Sequence, residues 1–293
     1  MLYRYGTDNN GKLIKKAVVY TKSEHSVSNK NIDPDALQII NRLRDAGFTA
    51  YVVGGAVRDL IVGNVPKDFD IVTDATPSKI KRIFRNSRII GRRFRLVHVV
   101  FGTKIFEVST FRSNAEGSVG NEFGTIEQDV MRRDFTINAL YYDPLQEQII
   151  DYVGGFQDIK KHVLKPVISL DTIFVEDPVR MLRAIKYSAT THAKMSFTLK
   201  RKIKQSAALL GQVSPSRITE ELLKIINNVH ASEIIKEAID NDLFMYLQPA
   251  AASMIFDNKN IEYSFMKNLQ KLDELNSTDV QARLGKKLYF IIF

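Results

Sequence analysis

The chain has 293 residues, 44% of them hydrophobic, with 42 Lys and Arg against 33 Asp and Glu, a formal charge of +9. It has no cysteine, which excludes disulfides and thiolate metal sites, and no apolar run approaches the roughly 18 residues that span a bilayer. The length suits more than one domain, the basic balance fits either a polyanionic partner or an ordinary solvated surface, and the N-terminus lacks the apolar core of a signal peptide, so a cytoplasmic protein is expected.

Residues 1–30 are polar apart from a short apolar patch at 17–20, and read as a loosely docked arm. Asp33 before Pro34 is a good helix start, a side-chain cap followed by a residue with no N–H to satisfy. Leu37, Ile40 and Leu43 mark one face of that helix, and Gly47 stops it. A short buried strand is expected at 50–53. The stretch YVVGGAVRDLIVGNVPKDFDIVT, residues 51–73, reads as strand, glycine turn, short helix and second strand. Thr76-Pro77 repeats the cap-and-proline start and opens a helix to about Phe84. Two further strands are predicted at 95–101 and 104–110. The Ser, Asn and Gly content of 112–123 predicts a mobile loop. Beyond Asp171 the pattern is nearly all helical, with segments near 178–189, 215–228 and 231–243. The expected organisation is an arm at 1–30, a mixed α/β head at 31–170 and a helical part at 171–293. The final run, LGKKLYFIIF, has no polar exit, which fits a truncated chain or a helix that docks its end in a core.

Asp68 and Asp70 flank Phe69. In a strand, alternate side chains share a face, so both carboxylates would project together while Phe69 turns inward. Two carboxylates that close repel unless a cation lies between them. Magnesium accepts carboxylates and substrate phosphates while keeping waters. A solvated strand end with two ordinary aspartates also fits these residues alone. Gly54-Gly55 lets backbone amides approach a phosphate without a Cβ in the way, although a plain tight turn fits equally. Arg58, Arg132 and Arg133 can supply bidentate donors to phosphate oxygens. Neither the GxGxxG spacing of a dinucleotide fold nor the GK[ST] ending of a P-loop is present.

Glu176 and Asp177 precede Pro178 at an expected helix N-terminus, where their charge is favoured. Arg180 and Arg183 lie three apart on one face of that helix. An Asp acceptor beside an Arg donor can read a base edge without a nucleic-acid template; a capping carboxylate with a solvated basic stripe is the alternative. The stretch KRIFRNSRIIGRRFR, residues 81–95, carries seven basic residues and no acidic one: Lys81, Arg82, Arg85, Arg88, Arg92, Arg93 and Arg95. With Phe84 and Phe94 as apolar anchors it is expected to contact an RNA backbone, although a bare charge run also suits a solvated surface. The five histidines are scattered, without an HD doublet or HxxxH spacing, which disfavours a metal hydrolase.

GGAVRDLIVGNVPKDFDIVTDATP, RRDFTINALYYDP, DYVGGFQDI and EDPVRMLRAIK together resemble the motifs of the class II tRNA nucleotidyltransferase and bacterial poly(A) polymerase superfamily, over about residues 17–293. The resemblance implies an α+β fold, a polymerase-beta-like nucleotidyltransferase head followed by an all-helical neck and body. It implies that Asp68 and Asp70 bind two Mg2+ ions. It also implies that Gly55 with its neighbour Gly54, Arg58, an arginine of Arg132-Arg133, Asp177, Arg180 and Arg183 contact the nucleotide. Asp134, the Asp of RRDFTIN, is implied as an active-site residue, although a buried carboxylate paired with Arg58 or Arg133 would explain it too. Glu107, alternating with Ile105 and Ser109, is a candidate third carboxylate for the metals.

IIGRRFRLVHVV, residues 89–100, resembles the signature that marks poly(A) polymerases within the superfamily. The expected activity is therefore template-independent addition of AMP from ATP to single-stranded RNA 3′ ends, with CCA or A addition to tRNA as the alternative and a non-catalytic RNA-binding relative as a third. Lys186 stands where the adding enzymes usually carry an arginine, which keeps the charge but loses the planar fork.

Overall fold

The structure, a computed structural model, describes residues 1–8, 10–91, 96–113, 123–279 and 282–292. It divides into two compact units, 1–161 and 162–293.

In the first unit, β1 (Leu2–Thr7) and β2 (Leu13–Tyr20) precede α1 (Pro34–Asp45), β3 (Ala50–Val53), α2 (Gly55–Ile61) and β4 (Asp70–Thr73). There follow α3 (Pro77–Ile83), β5 (Ser87–Ile90), β6 (Leu96–Phe101), β7 (Lys104–Thr110), α4 (Ile126–Met131), β8 (Leu140–Asp143), β9 (Gln148–Asp151) and α5 (Gly155–Lys160). The nine strands form one sheet in the order β1-β2-β9-β8-β3-β4-β7-β6-β5. Of these pairings only β4 with β7 is parallel.

The two helix starts read from the sequence hold. Asp33 Oδ1 accepts from the Asp35 N–H at 2.8 Å, and α1 begins at Pro34. Thr76 precedes α3, which begins at Pro77 and ends at Ile83, but its side chain makes no capping hydrogen bond. The buried face of α1 is Ala36, Ile39, Ile40 and Leu43, with Leu37 only half-buried, one residue off the expected stripe. The strands at 50–53 and 104–110 form as expected.

Within the stretch read as an arm, residues 2–7 and 13–20 are strands of the sheet. The apolar patch of that stretch forms the end of β2, which pairs with β9. Tyr20 is buried there and stacks on Phe156 at a centroid distance of 4.0 Å. The polar look of β1 arises from its edge position, and that of the first half of β2 from pairing there with β1 alone, so that alternate residues face water. The strand β5 inside the basic run was also unexpected. Its alternation, with Ser87 buried and Arg88 exposed, is masked by the arginines.

The second unit is helical apart from a two-strand ribbon, β10 (Val163–Leu164) with β11 (Lys194–Met195). Its helices are α6 (Ile173–Glu176), α7 (Val179–Thr191), α8 (Phe197–Ser206), α9 (Pro215–Ile226), α10 (Ala231–Asp240), α11 (Phe244–Leu247), α12 (Pro249–Asp257), α13 (Lys259–Thr278) and α14 (Leu284–Ile292). Leu182, Ile185, Ile225, Ile234, Phe244, Leu269 and Leu272 lie in its core. Each such aliphatic or aromatic side chain contributes about 1.5–3 kcal/mol on burial. No helix among the described residues is long and apolar enough to cross a membrane.

Candidate active site

The first unit gathers its polar chemistry on one face of the sheet. Arg88 pairs with His98, and His98 with Glu107. Asp70 lies one residue before the Ile71–Val108 pair, in step with Glu107, and pairs on its other side with Val53, which in turn pairs with Tyr141. Residues in register across a sheet point to the same side. Arg88, His98, Glu107, Asp70 and Tyr141 therefore stand in one row, while Val52, Ile71, Val97 and Val108 are buried on the opposite face.

Asp68 departs from expectation: β4 begins at Asp70, so Asp68 lies in the segment before the strand, and Phe69 is only half-buried. The charge of Asp68 nevertheless acts on Asp70. Asp70 retains accessible surface, but the surrounding head strips much of its hydration. Lost solvation, then the charges of Glu107 and Asp68, push its pKa up from 3.8 to about 6, against the pull of Arg133. Glu107 is exposed, and its Oε1 lies 3.6 Å from His98 Nε2.

Gly54 sits at φ +76°, a conformation that glycine adopts without strain. A Cβ there would lie 3.6 Å from Arg133 Nη1, and one on Gly55 would lie 3.6 Å from Arg58 Nη2. The glycine turn is thus flanked by two guanidiniums. Arg58 donates to Asp59 Oδ1 through Nε at 2.9 Å and Nη2 at 2.7 Å, and to Asn138 Oδ1 through Nη1 at 2.7 Å. Asn138 in turn donates to Asp134 Oδ1 at 3.3 Å, which also accepts the Phe135 N–H at 2.7 Å. Asp134 is buried and connects to Arg58 through Asn138. This arrangement suits a residue that positions Arg58.

Arg133 donates to Asp129 Oδ2 at 3.0 Å and to the Tyr141 hydroxyl at 3.1 Å, and that hydroxyl donates to the same Asp129 oxygen at 2.8 Å. Burial works against its charge, but Tyr141 and Asp129 outweigh it and hold the Arg133 pKa above the usual arginine value. Burial lowers the pKa of nearby Arg112, whose charge acts on Asp129, Arg133 and Glu107. Arg132 caps the end of α4 and is half-buried. Asp129, Tyr141 and Asn138 escaped the sequence reading. The one available signal was the i,i+4 spacing of Asp129 and Arg133.

DYVGGFQDI is a brace. Asp151 Oδ1 accepts the N–H groups of Val153, Gly154 and Gly155 at 3.0, 2.8 and 3.1 Å, and its Oδ2 accepts that of Phe156 at 3.0 Å. A Cβ on Gly155 would lie 2.0 Å from the Thr136 carbonyl oxygen, so glycine lets α5 press on the turn that carries Asn138.

In the second unit, Asp177 ends α6 and accepts the Val179 N–H at 3.2 Å. Arg217 of α9 closes on both of its oxygens, at 3.0 and 2.9 Å. Arg180 is buried and donates to Glu176 Oε2 at 3.0 Å, while Arg183 donates to the Tyr187 hydroxyl at 3.0 and 3.3 Å. Lys186 is held by Glu221 at 2.7 Å, inside the unit. Nothing in the sequence marked Arg217 or Glu221. Of the basic run, Lys81, Arg82, Arg85 and Arg88 are exposed, and Arg92, Arg93 and Arg95 lie outside the described residues.

Among the described residues, no three His, Cys, Asp or Glu side chains form a ready-made cation cage. Magnesium does not need one, since one or two carboxylates with substrate phosphates and water complete its shell. Lost solvation first, and then the charges of Glu107 and Asp68, raise the Asp70 pKa, and a cation would offset both, so Asp68 and Asp70, with Glu107 acting on Asp70, fit such ions.

Comparison with known proteins places these features in one family. Residues 50–165 match the model described as "Poly A polymerase head domain", and residues 194–255 match "Probable RNA and SrmB- binding site of polymerase A". Poly(A) polymerase I of Salmonella typhi is 41% identical over 256 residues, covering 82% of this chain and 55% of that protein. The CCA-adding enzyme of Geobacillus kaustophilus is 35% identical over 225 residues, covering 75% of this chain and 55% of that protein. The solved CCA-adding enzyme of Bacillus stearothermophilus in complex with CTP superposes with a TM-score of 0.68 at 32% identity, over 76% of this chain and 56% of that one. The chain spans about half the length of these relatives. It belongs to the class II, polymerase-beta-like nucleotidyltransferase superfamily, with poly(A) polymerases and CCA-adding enzymes both among its relatives.

Proposed function

We propose that this protein transfers nucleotidyl groups to RNA 3′ ends without a template. The observation that carries this is Asp70 beside the Gly54-Gly55 turn and its two arginines, with the charges of Glu107 and Asp68 acting on it. Asp68 and Asp70 would hold two Mg2+ ions, with Glu107 as a further ligand. When bound, the ions activate a 3′-hydroxyl and neutralise a triphosphate. Arg58 and Arg133, each fixed by a carboxylate, present guanidinium edges to phosphate oxygens. Asp134 and Asn138 keep Arg58 in place. The 3′-oxygen forms its bond to the α-phosphorus as the α–β bridging bond breaks, and pyrophosphate leaves.

Within that activity we favour repeated addition of AMP from ATP to single-stranded RNA. Five poly(A) polymerase I relatives at 37–41% identity support it, together with the IIGRRFRLVHVV stretch. In the helical unit, Asp177, Arg180 and Arg183 are our candidates for recognition of the base. CCA or partial CCA addition to tRNA is the second reading, favoured by the likeness to a CCA-adding enzyme solved with CTP. The two separate in an assay with generic RNA and a tRNA lacking its CCA end. An adenylate ladder on generic RNA with ATP alone supports the first. Use of CTP, with a stop after a fixed number of additions to tRNA, supports the second. No incorporation of either nucleotide would refute both.

A further inference from the structure

The basic run does not form one surface. Arg88 projects from the edge strand β5 on the carboxylate side of the sheet, in the row with His98 and Glu107. Arg82 and Arg85 belong elsewhere. They line an open pocket of about 510 Å3 at the end of α3, together with Arg42 of α1. Phe84, Asn86 and Phe101 also line it, and among the described residues no carboxylate does. Val99, whose neighbour across the ladder is the buried Ser87, also borders it, which sets the pocket on the side opposite Arg88.

This pocket has a fixed frame. Arg42 Nη2 donates to the Ile83 carbonyl at 2.6 Å, and its guanidinium lies 4.5 Å from the Phe84 ring centroid. The Phe84 carbonyl accepts from Ser87 Oγ at 2.6 Å, and the Asn86 carbonyl accepts the Val100 N–H at 2.9 Å. Arg82 and Arg85 are exposed at the mouth. Three guanidiniums select an anion, and the half-buried Phe101 offers a ring edge to a base or ribose, whereas Phe84 is buried beneath Arg42.

We propose that this pocket holds a nucleotide of the RNA upstream of its 3′ end, the strand crossing the β5 edge from Arg88 on the carboxylate side. The proposal rests on the reading of the chain as an enzyme of RNA 3′ ends. A continuous strand is favoured over a free nucleotide because exposed arginines occur on both sides of the same edge strand. Such an anchor lets the growing end move while upstream phosphates stay bound.

The chain's lack of cysteine supplies the test. Asn86→Cys places a single thiol in the pocket wall, and its alkylation rate by a bulky maleimide reports occupancy. An oligoadenylate of about twenty nucleotides should slow alkylation about fivefold or more, while AMP and inorganic phosphate at equal phosphate concentration should not. Adding Arg82→Ala and Arg85→Ala should remove the protection and lower the salt slope of RNA binding by roughly 1.4. Arg82→Lys with Arg85→Lys should retain most protection, which separates lost charge from lost folding. No protection by RNA, protection that survives both alanines, or equal protection by AMP would each overturn the proposal. The assay needs no catalysis. Protection in a chain that adds no nucleotide would refute the transferase reading while leaving this site intact.

Discussion

Arg217 grips both oxygens of Asp177, at 3.0 and 2.9 Å, from a helix forty residues further along the chain. On the proposed reading, Asp177 presents an acceptor to a base edge, and a guanidinium from α9 holds that acceptor in place. The pair is part-exposed, so its worth lies in orientation more than in stability. Arg217→Ala is expected to reduce the ratio of kcat/KM for ATP over CTP about tenfold. Both bonds come from the one nitrogen Nη2, so Arg217→Lys, whose ammonium also carries several donors, should restore most of it. An equal loss for both nucleotides would assign Arg217 a purely structural role.

Asp70 carries a sign that calorimetry can read. Its folded pKa is raised from 3.8 to about 6 by lost solvation, Glu107 and Asp68. Between those values the folded chain binds more protons than the unfolded one, so this group's contribution to stability falls as pH rises through the window. In EDTA, Asp70→Asn should melt higher than the parent at pH 8, with the difference vanishing toward pH 4. A lower Tm for the variant at pH 8 would contradict the crowding of these carboxylates. Magnesium should narrow the difference by stabilising the parent.

Lys186 and Glu221 form an ion pair inside the helical unit, with side-chain exposures of 11% and 8%. Burial lowers the Lys186 pKa from 10.5 although Glu221 opposes it. Glu221 is pulled below 4.5 because Lys186 and Lys224 outweigh the cost of its burial. Glu221 therefore stabilises the fold above its unfolded pKa, and this contribution is lost as acid protonates it. Glu221→Gln strands the lysine and should cost about 3 kcal/mol near neutral pH. The defect should shrink as pH rises toward the unfolded lysine value, where the lysine can deprotonate. Chemical denaturation at several pH values measures this. A Glu221→Gln chain as stable as the parent at neutral pH would mean that Lys186 finds another partner.

Asp151 receives four backbone N–H groups and is buried. Asp151→Ala leaves those donors without acceptors and should cost about 2–4 kcal/mol. Gly155→Ala should be comparably harmful, since its Cβ would meet the Thr136 carbonyl at 2.0 Å. Urea unfolding measures both. Neutral substitutions would show that the brace is dispensable.

These residues also mark where the sequence was legible. Asp33-Pro34 and Thr76-Pro77 announced their helices because caps and proline act locally. The apolar strand at 50–53 and the Gly-Gly turn were equally plain. The edge strands β1 and β5, and β2 beside β1, were not, because only pairing with other strands stabilises them and their exposed residues read as surface. The same limit hid Arg217 behind Asp177 and Asp129 with Tyr141 behind Arg133, since long-range hydrogen bonds leave no local pattern. Asp68 was misplaced on a strand because alternation alone cannot say where pairing begins.

Primer extension with the parent chain and with Asp68→Ala/Asp70→Ala tests the central claim most directly. The substrates are a generic single-stranded RNA, magnesium, and ATP or CTP supplied singly. The parent should extend the primer only when magnesium is present, and the double variant should lose about a thousandfold or more in rate while melting as a folded protein. Extension that survives the loss of both carboxylates, or a parent chain that binds RNA and never extends it, would contradict the assignment of Asp68 and Asp70 as the centre of nucleotidyl transfer.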